Sequence, residues 1–205
     1  MLESILETVL KTGWVLAPLL LSSLLGWFMI IHRGLALKRL TWKREGEFRA
    51  AVARPDFSTW ASGISERDKR TTVGATVAEV YAMRPYGREA MESKLDEVQK
   101  MQVPELERFL STIAILASAA PLIGLLGTVT GMVRTFEVIG AFGTGNQSLM
   151  SESIAESLLA TQNGLLVAFP LLMTHMLLAS RARAIEDGSL SAGKILINRY
   201  GGETV

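Results

Sequence analysis

Residues 109–133 read FLSTIAILASAAPLIGLLGTVTGMV, 25 consecutive positions without Asp, Glu, Lys or Arg. At a rise of about 1.5 Å per residue, roughly 20 apolar residues cross the hydrocarbon core of a bilayer. The stretch therefore reads as a transmembrane helix. Two more runs share the property, the 20 residues 12–31 and the 24 residues 157–180. Together the three hold 69 of the 205 residues, so all 41 charged residues fall in the other 136. A soluble domain spreads charge along every surface helix, because each shows a polar face to water. The segregation predicts an all-α integral membrane protein with three transmembrane helices.

The flanks set the organisation. Residues 1–11 read as a short amphipathic helix, with Leu2, Ile5, Leu6, Val9 and Leu10 on one stripe. Glu3 and Glu7 against a single Lys11, and Trp27, Phe28, Met29 and Ile30 at the far end of the next run, do not fit a cleaved signal peptide. The first span is placed at 12–31, with Trp14 and Trp27 near its two interfaces. Seven His, Arg and Lys residues follow between His32 and Arg49, whereas residues 134–156 hold only Arg134. The positive-inside rule then gives a periplasmic N-terminus, a cytoplasmic segment 32–108, a second span 109–140, a periplasmic loop 141–152, a third span 153–180 and a cytoplasmic tail 181–205. The cytoplasmic segment mixes 15 Lys and Arg with 12 Asp and Glu. Its apolar stripes, Val73–Val77–Val80–Tyr81 and Ala90–Leu95–Val98–Met101, suggest helices that prolong the membrane bundle. Ser65–Asp68 resembles a capping box. Pro104 suits the first turn of a helix running unbroken into the second span. Gly188, Gly193 and Gly201–Gly202 are expected to break any long helix in the tail.

Several function classes fall away. The chain has no cysteine, hence no disulfide, thiolate metal site or cysteine nucleophile. A net charge of +1 gives no reason to expect nucleic acid. His32 and His175 are far apart and form no zinc motif, so no metal site is expected. GLLGTVTG lacks the lysine of a phosphate-binding loop, and nothing pairs a nucleophile with a base, so the chain is read as a non-enzyme.

The second and third spans hold what chemistry there is. Gly124, Gly127 and Gly131 share one helical face, where small residues let backbones approach closely. Thr128 and Thr130 bond either back to their own helix or outward. Glu156, at the outer end of the third span, faces headgroups or a cavity and partner. Thr161, Gln162 and Asn163 form a polar step deeper in, and Glu156, Ala160 and Asn163 share a face. Pro170 frees a backbone carbonyl. Hydroxyls and amides cannot titrate near neutral pH, so Glu156, which borders the charge-free run 157–180, is read as the intramembrane carboxylate.

LERFLSTIAILASAAPLIGLLGTVTGM followed by IAESLLAT and GLLVAFP resembles the ExbB/TolQ/MotA proton-channel family, and within it the ExbB/TolQ branch. The resemblance implies long cytoplasmic extensions of the second and third helices and assembly as a ring, a homopentamer around two copies of a single-span ExbD/TolR-like partner. That partner would supply the titrating aspartate, protons would be the coupling ion with no cofactor, and work would reach TonB- or TolA-like proteins. On this pattern Thr128, Glu156 and Thr161 are the proton-pathway, pore-lining residues. Pro121 and Pro170 are the helix prolines. Gly124, Gly127, Ala160 and Gly164 would let neighbouring subunits close on a narrow pore. Gln162–Asn163 departs from the usual apolar pair, as a secondary pore or intersubunit polar site. The implied role is a proton-motive-force-driven stator of the bacterial inner membrane that energises TonB-dependent import. A TolQ-like Tol–Pal subunit, a gliding-type motor and a non-conducting membrane scaffold are the alternatives.

Overall fold

The computed structural model describes residues 15–42, 45–54, 56–143 and 147–202; the expected helix at 1–11 and the first three residues of the expected first span lie outside them. Every regular element among the described residues is helical. Helix α1, Leu16–Leu40, places Pro18 in its first turn, where a missing N–H costs nothing, and Lys38 and Arg39 in its last, where they complement the helix dipole. Three short pieces follow: α2, Glu45–Ala51; α3, Phe57–Ser62; and α4, Thr72–Ala82. Then come α5, Arg88–Glu107, α6, Leu110–Phe142, and the 54-residue α7, Gln147–Tyr200. Three helical stretches, Leu16–Leu40, Arg88–Ala141 and Gln147–Tyr200, are long and apolar enough to cross a membrane. Leu24, Phe28, Leu122, Leu158 and Phe169 point outward, as the lipid-facing side of a spanning helix requires.

The chain divides into two compact units, Met1–Ile31 with Phe109–Met176, and His32–Arg108 with Leu177–Val205. In the first, Leu19, Ala120 and Ala168 form a small buried core with Ile123 and Val167 around it.

The second unit has an aromatic core. Phe57 stacks on Trp60 at 5.4 Å and on Tyr200 at 5.5 Å, and meets Tyr81 edge-on at 5.0 Å. Val77, Val80, Met91 and Leu196 are fully or almost fully buried around it. Thr76, Gln99, Gln102 and Ser189 make a polar cluster that ties α4, α5 and α7. The Ser189 and Thr76 hydroxyls lie 2.7 Å apart, the Gln99 amide donates to Ser189 at 2.9 Å, and the Gln102 amide donates to the Thr72 carbonyl at 3.0 Å.

Five expectations change. The glycines of the tail do not break the helix: α7 runs through Gly188 and Gly193 to Tyr200. At Gly193 a Cβ would sit 2.4 Å from Leu95 Cδ1, so the glycine is a packing device. Burial of Leu95 against it, worth about 1.5–3 kcal/mol, outweighs the roughly 1 kcal/mol a helical glycine costs. At the other end α7 begins at Gln147, inside the expected loop 141–152.

Pro104 lies inside α5, and the interruption before the second span falls at Arg108–Phe109, with Phe109 left-handed at φ 66°. The Arg33 guanidinium, buried on α1, donates to the carbonyls of Glu105 and Leu106. Those are last-turn acceptors that the ended helix leaves without intrahelical partners. The buried stripe of α5 is Met91–Leu95–Val98–Leu106, while Met101 is exposed; positions 91, 95, 98 and 106 keep the 3.6-residue period and 101 falls off it. Ser65 does accept the Asp68 N–H at 3.2 Å, but it opens a short 3-10 turn, Asp68–Arg70. The α-helix that follows is capped by Thr71, whose hydroxyl accepts the Gly74 N–H.

Candidate functional site

The small residues of α6 and α7 meet along one seam. A Cβ on Gly127 would lie 2.4 Å from Ala160 Cβ, and one on Gly131 would lie 2.6 Å from Ser157 Oγ. Gly124 and Gly164 face each other so closely that a Cβ on either comes within 3.2 Å of the other's Cα. Five of the close-packing positions, Gly124, Gly127, Gly131, Ala160 and Gly164, are thus used within one chain, helix against helix.

Backbones this close bring hydroxyls within reach of carbonyls on the facing helix. Ser157 donates to the Thr128 carbonyl at 2.9 Å, and Thr161 donates to the Gly124 carbonyl at 3.3 Å. The other hydroxyls turn back on their own helix. Thr128 donates to Leu125 O at 2.7 Å, Thr130 to Gly127 O at 3.0 Å, and Thr135 to Gly131 O at 3.0 Å. Each of these side chains has one proton, and each spends it on a carbonyl. What remains for a further group is acceptor lone pairs.

Glu156 closes the outer end of the seam. Its carboxylate accepts from the Arg134 guanidinium at 3.1 Å. Its side chain is 19% exposed while that of Arg134 is 65% exposed, so the carboxylate is sheltered and the cation reaches outward. Along α7, Thr161 lies five residues, about 7.5 Å, deeper than Glu156. Gln162 is exposed and Asn163 half-buried, both beside Thr161 and off the line that packs on α6. Pro121 and Pro170 are half-buried inside continuous helices. The Pro170 carbonyl accepts the Thr174 hydroxyl at 2.7 Å. His175 has a buried Nδ1 without a hydrogen-bond partner among the described residues.

The structure therefore brings Thr128, Thr161 and Glu156 onto one helix pair and leaves Gln162 on its outer surface. Two members of the seam were missed by reading the sequence. Ser157 adjoins Glu156 and precedes Gly164 by seven residues, so the spacing was available. Arg134 was visible as the one cation of residues 134–156, but pairing it with Glu156 needed the antiparallel register of the two helices.

The family model described as the MotA/TolQ/ExbB proton channel family matches residues 83–188, just over half the chain. An ExbB-like biopolymer transport protein of Synechocystis sp. is 27% identical over 187 residues, covering 89% of this chain and 74% of that protein. The Tol-Pal system protein TolQ of Haemophilus influenzae is 35% identical over 86 residues, 42% of this chain and 38% of the relative. The biopolymer transport protein ExbB of Aquifex aeolicus is 42% identical over 79 residues, 38% of this chain and 53% of the relative. The latter two matches thus span about half or less of the relative's length. The family match contains the whole of the glycine-and-hydroxyl seam, and the chain, a multi-pass inner-membrane protein, belongs to the MotA/TolQ/ExbB proton channel family, with its likeness in the ExbB and TolQ branch.

Proposed function

We propose that this chain is the ring-forming stator subunit of a proton-driven machine that energises outer-membrane processes, with TonB-dependent import as the first reading. The N-terminus is periplasmic and the C-terminus cytoplasmic, on the lysine and arginine asymmetry of the loops. Five copies surround two single-span ExbD/TolR-like partners, which hand work to a TonB- or TolA-like protein. The chain performs no bond chemistry of its own. Its role is to shape a narrow passage in which a partner's carboxyl takes and releases protons, each charge crossing being worth about 2.3 kcal/mol per 100 mV.

The observation that carries the reading is the seam itself: five hydroxyls with their protons committed to carbonyls, and one sheltered carboxylate held by Arg134. Hydroxyls in that state accept a hydrogen bond from a protonated carboxyl but offer nothing to a carboxylate, which is itself acceptor-only. The passage thereby favours the neutral partner without a competing fixed charge.

The test is proton flux into proteoliposomes holding the chain and its co-expressed partner. Glu156→Ala and Thr161→Ala each lower partner-dependent flux; flux equal to the wild type in both overturns the site. Flux indistinguishable from empty liposomes, with the partner bound, supports the scaffold reading instead. The second reading of pathway, a Tol–Pal subunit, rests on the similarity to a Tol-Pal system protein, and complementation of tolQ-deficient against exbB-deficient cells decides between them.

A further inference from the structure

The end of α1 and the loop elements that follow enclose a cleft of about 760 Å³ whose walls, among the described residues, carry Lys38, Arg39, Arg67 and Arg70 around one carboxylate, Asp68. Asp68 is already engaged: it accepts from the Ser65 hydroxyl at 2.9 Å and from the Trp42 indole N–H at 3.3 Å. None of the four cations forms an ion pair among the described residues. Glu66, close enough to feel the charge of Arg70, is held by Lys69 at 2.6 Å. Four like charges crowded around one occupied carboxylate repel one another and focus a positive potential into the cleft.

The floor of the cleft is packed, whereas its charges sit on exposed side chains. Trp42 is buried and packs against Phe48 and Trp60. Thr41 donates to the Leu37 carbonyl at 2.9 Å, locking the end of α1. Thr71 donates to the Asp68 carbonyl and caps α4. Exposed Lys38, Arg39, Arg67 and Arg70 project from this frame, so a bound anion would meet several donors without the backbone having to reorganise.

Position selects the anion. The charge-free run of α1 ends at Ile31, and Lys38 and Arg39 come seven and eight residues later on the same helix, about 10–12 Å along its axis. The headgroup layer of a bilayer is about 5–8 Å deep on each side. Long basic side chains reach back toward it. Leu35, one turn nearer the apolar run than Arg39, is exposed, which suits acyl-chain contact. Guanidinium groups match phosphate geometry with paired donors.

We propose that this cleft binds the phosphate of an anionic phospholipid headgroup in the leaflet next to the basic end of α1. Such a site anchors the loop elements of each subunit to the membrane surface, and it is independent of the proton passage.

The full-length chain in nanodiscs of phosphatidylcholine with one-fifth phosphatidylglycerol, transferred to detergent and washed, provides the test, with retained lipid read by mass spectrometry. The wild type retains phosphatidylglycerol in excess of its share. A surface cation is worth about fivefold in affinity for an anionic headgroup, so Arg67→Gln with Arg70→Gln lowers that retention by more than tenfold. Both positions are exposed, so helical circular dichroism stays unchanged. Arg88→Gln with Lys100→Gln removes the same charge elsewhere in the unit and leaves retention intact. Equal retention in the Arg67/Arg70 variant, or equal loss in the Arg88/Lys100 variant, overturns the site. Release by 10 mM inorganic phosphate as complete as by short-chain phosphatidylglycerol reassigns the cleft to free phosphate and overturns the lipid proposal.

Discussion

Gly127→Ala probes the seam most directly. The new methyl carbon would start 2.4 Å from Ala160 Cβ and 3.4 Å from Val15 Cγ1. Carbon atoms rest at about 3.5–4.0 Å, so α6 and α7 must part by roughly 1–1.5 Å at this level. That movement takes the Ser157–Thr128 bond, now 2.9 Å, and the Thr161–Gly124 bond, now 3.3 Å, beyond hydrogen-bond range. Cross-helix bonds in membranes average about 0.6 kcal/mol and reach about 1.7, and overpacking costs about 1–3. Alanine recovers up to about 1 kcal/mol of helix propensity, which leaves a net loss of about 1–3 kcal/mol. SDS-driven unfolding in mixed micelles, followed by circular dichroism, measures it. Ala160→Gly removes the opposing methyl, so the double variant should regain at least about 1 kcal/mol over the sum of the two single changes. A Gly127→Ala chain as stable as the wild type, or a double variant with no coupling, would refute the intrachain seam.

Two further substitutions test the loop-bearing unit. Arg33→Met removes the donor that caps α5 and leaves the Glu105 and Leu106 carbonyls buried without it, at a cost of about 2–4 kcal/mol; faster amide exchange over residues 105–112 is the readout, and unchanged protection there would show that the cap is dispensable. Ser189→Ala takes the hub from the Thr76–Gln99–Gln102 cluster and should destabilise by about 1–3 kcal/mol, lowering the thermal midpoint seen by tryptophan fluorescence; Ser189→Thr does not substitute, since a fully buried site has no room for the methyl.

Membrane spans are legible because they depend on composition: a charge-free run of this length has few soluble uses. The glycine face at 124, 127 and 131 is legible because helical period alone puts those residues together. What the sequence does not display is anything that rests on register between segments. Phe109 carries no local breaker signal, yet it adopts a left-handed conformation, and the carbonyls of the helix that ends before it are taken by Arg33, more than 70 positions earlier. Gly193 reads as a helix breaker until Leu95 is laid over it. Ser189 reads as a surface serine until Thr76 and Gln102 surround it. In each case tertiary packing overrides a propensity of about 1 kcal/mol. Of the candidate site, Thr128, Glu156 and Thr161 stand out in the sequence as polar groups in apolar spans and the resemblance adds their pore-lining reading, whereas the bonds that Ser157 and Arg134 make follow from the geometry.

The direction of the seam's hydrogen bonds gives the proton reading its sharpest consequence. If Thr161 serves as an acceptor for a protonated carboxyl, what matters is its oxygen, since its proton already lies on the Gly124 carbonyl. Thr161→Ser keeps that oxygen and its donor bond, and Thr161→Val keeps the shape while removing both. One hydrogen bond to a neutral group contributes about 0.5–1.5 kcal/mol, so the valine variant should pass protons about two- to tenfold more slowly, while the serine variant stays near the wild type. A structural role alone predicts a different order. Valine fills the threonine's volume and serine does not, so serine would then be the more damaging change to stability and flux alike. Flux measured beside SDS-driven unfolding separates the two cases. Valine slow but stable places the oxygen in the passage, and serine slow and unstable places Thr161 in packing alone.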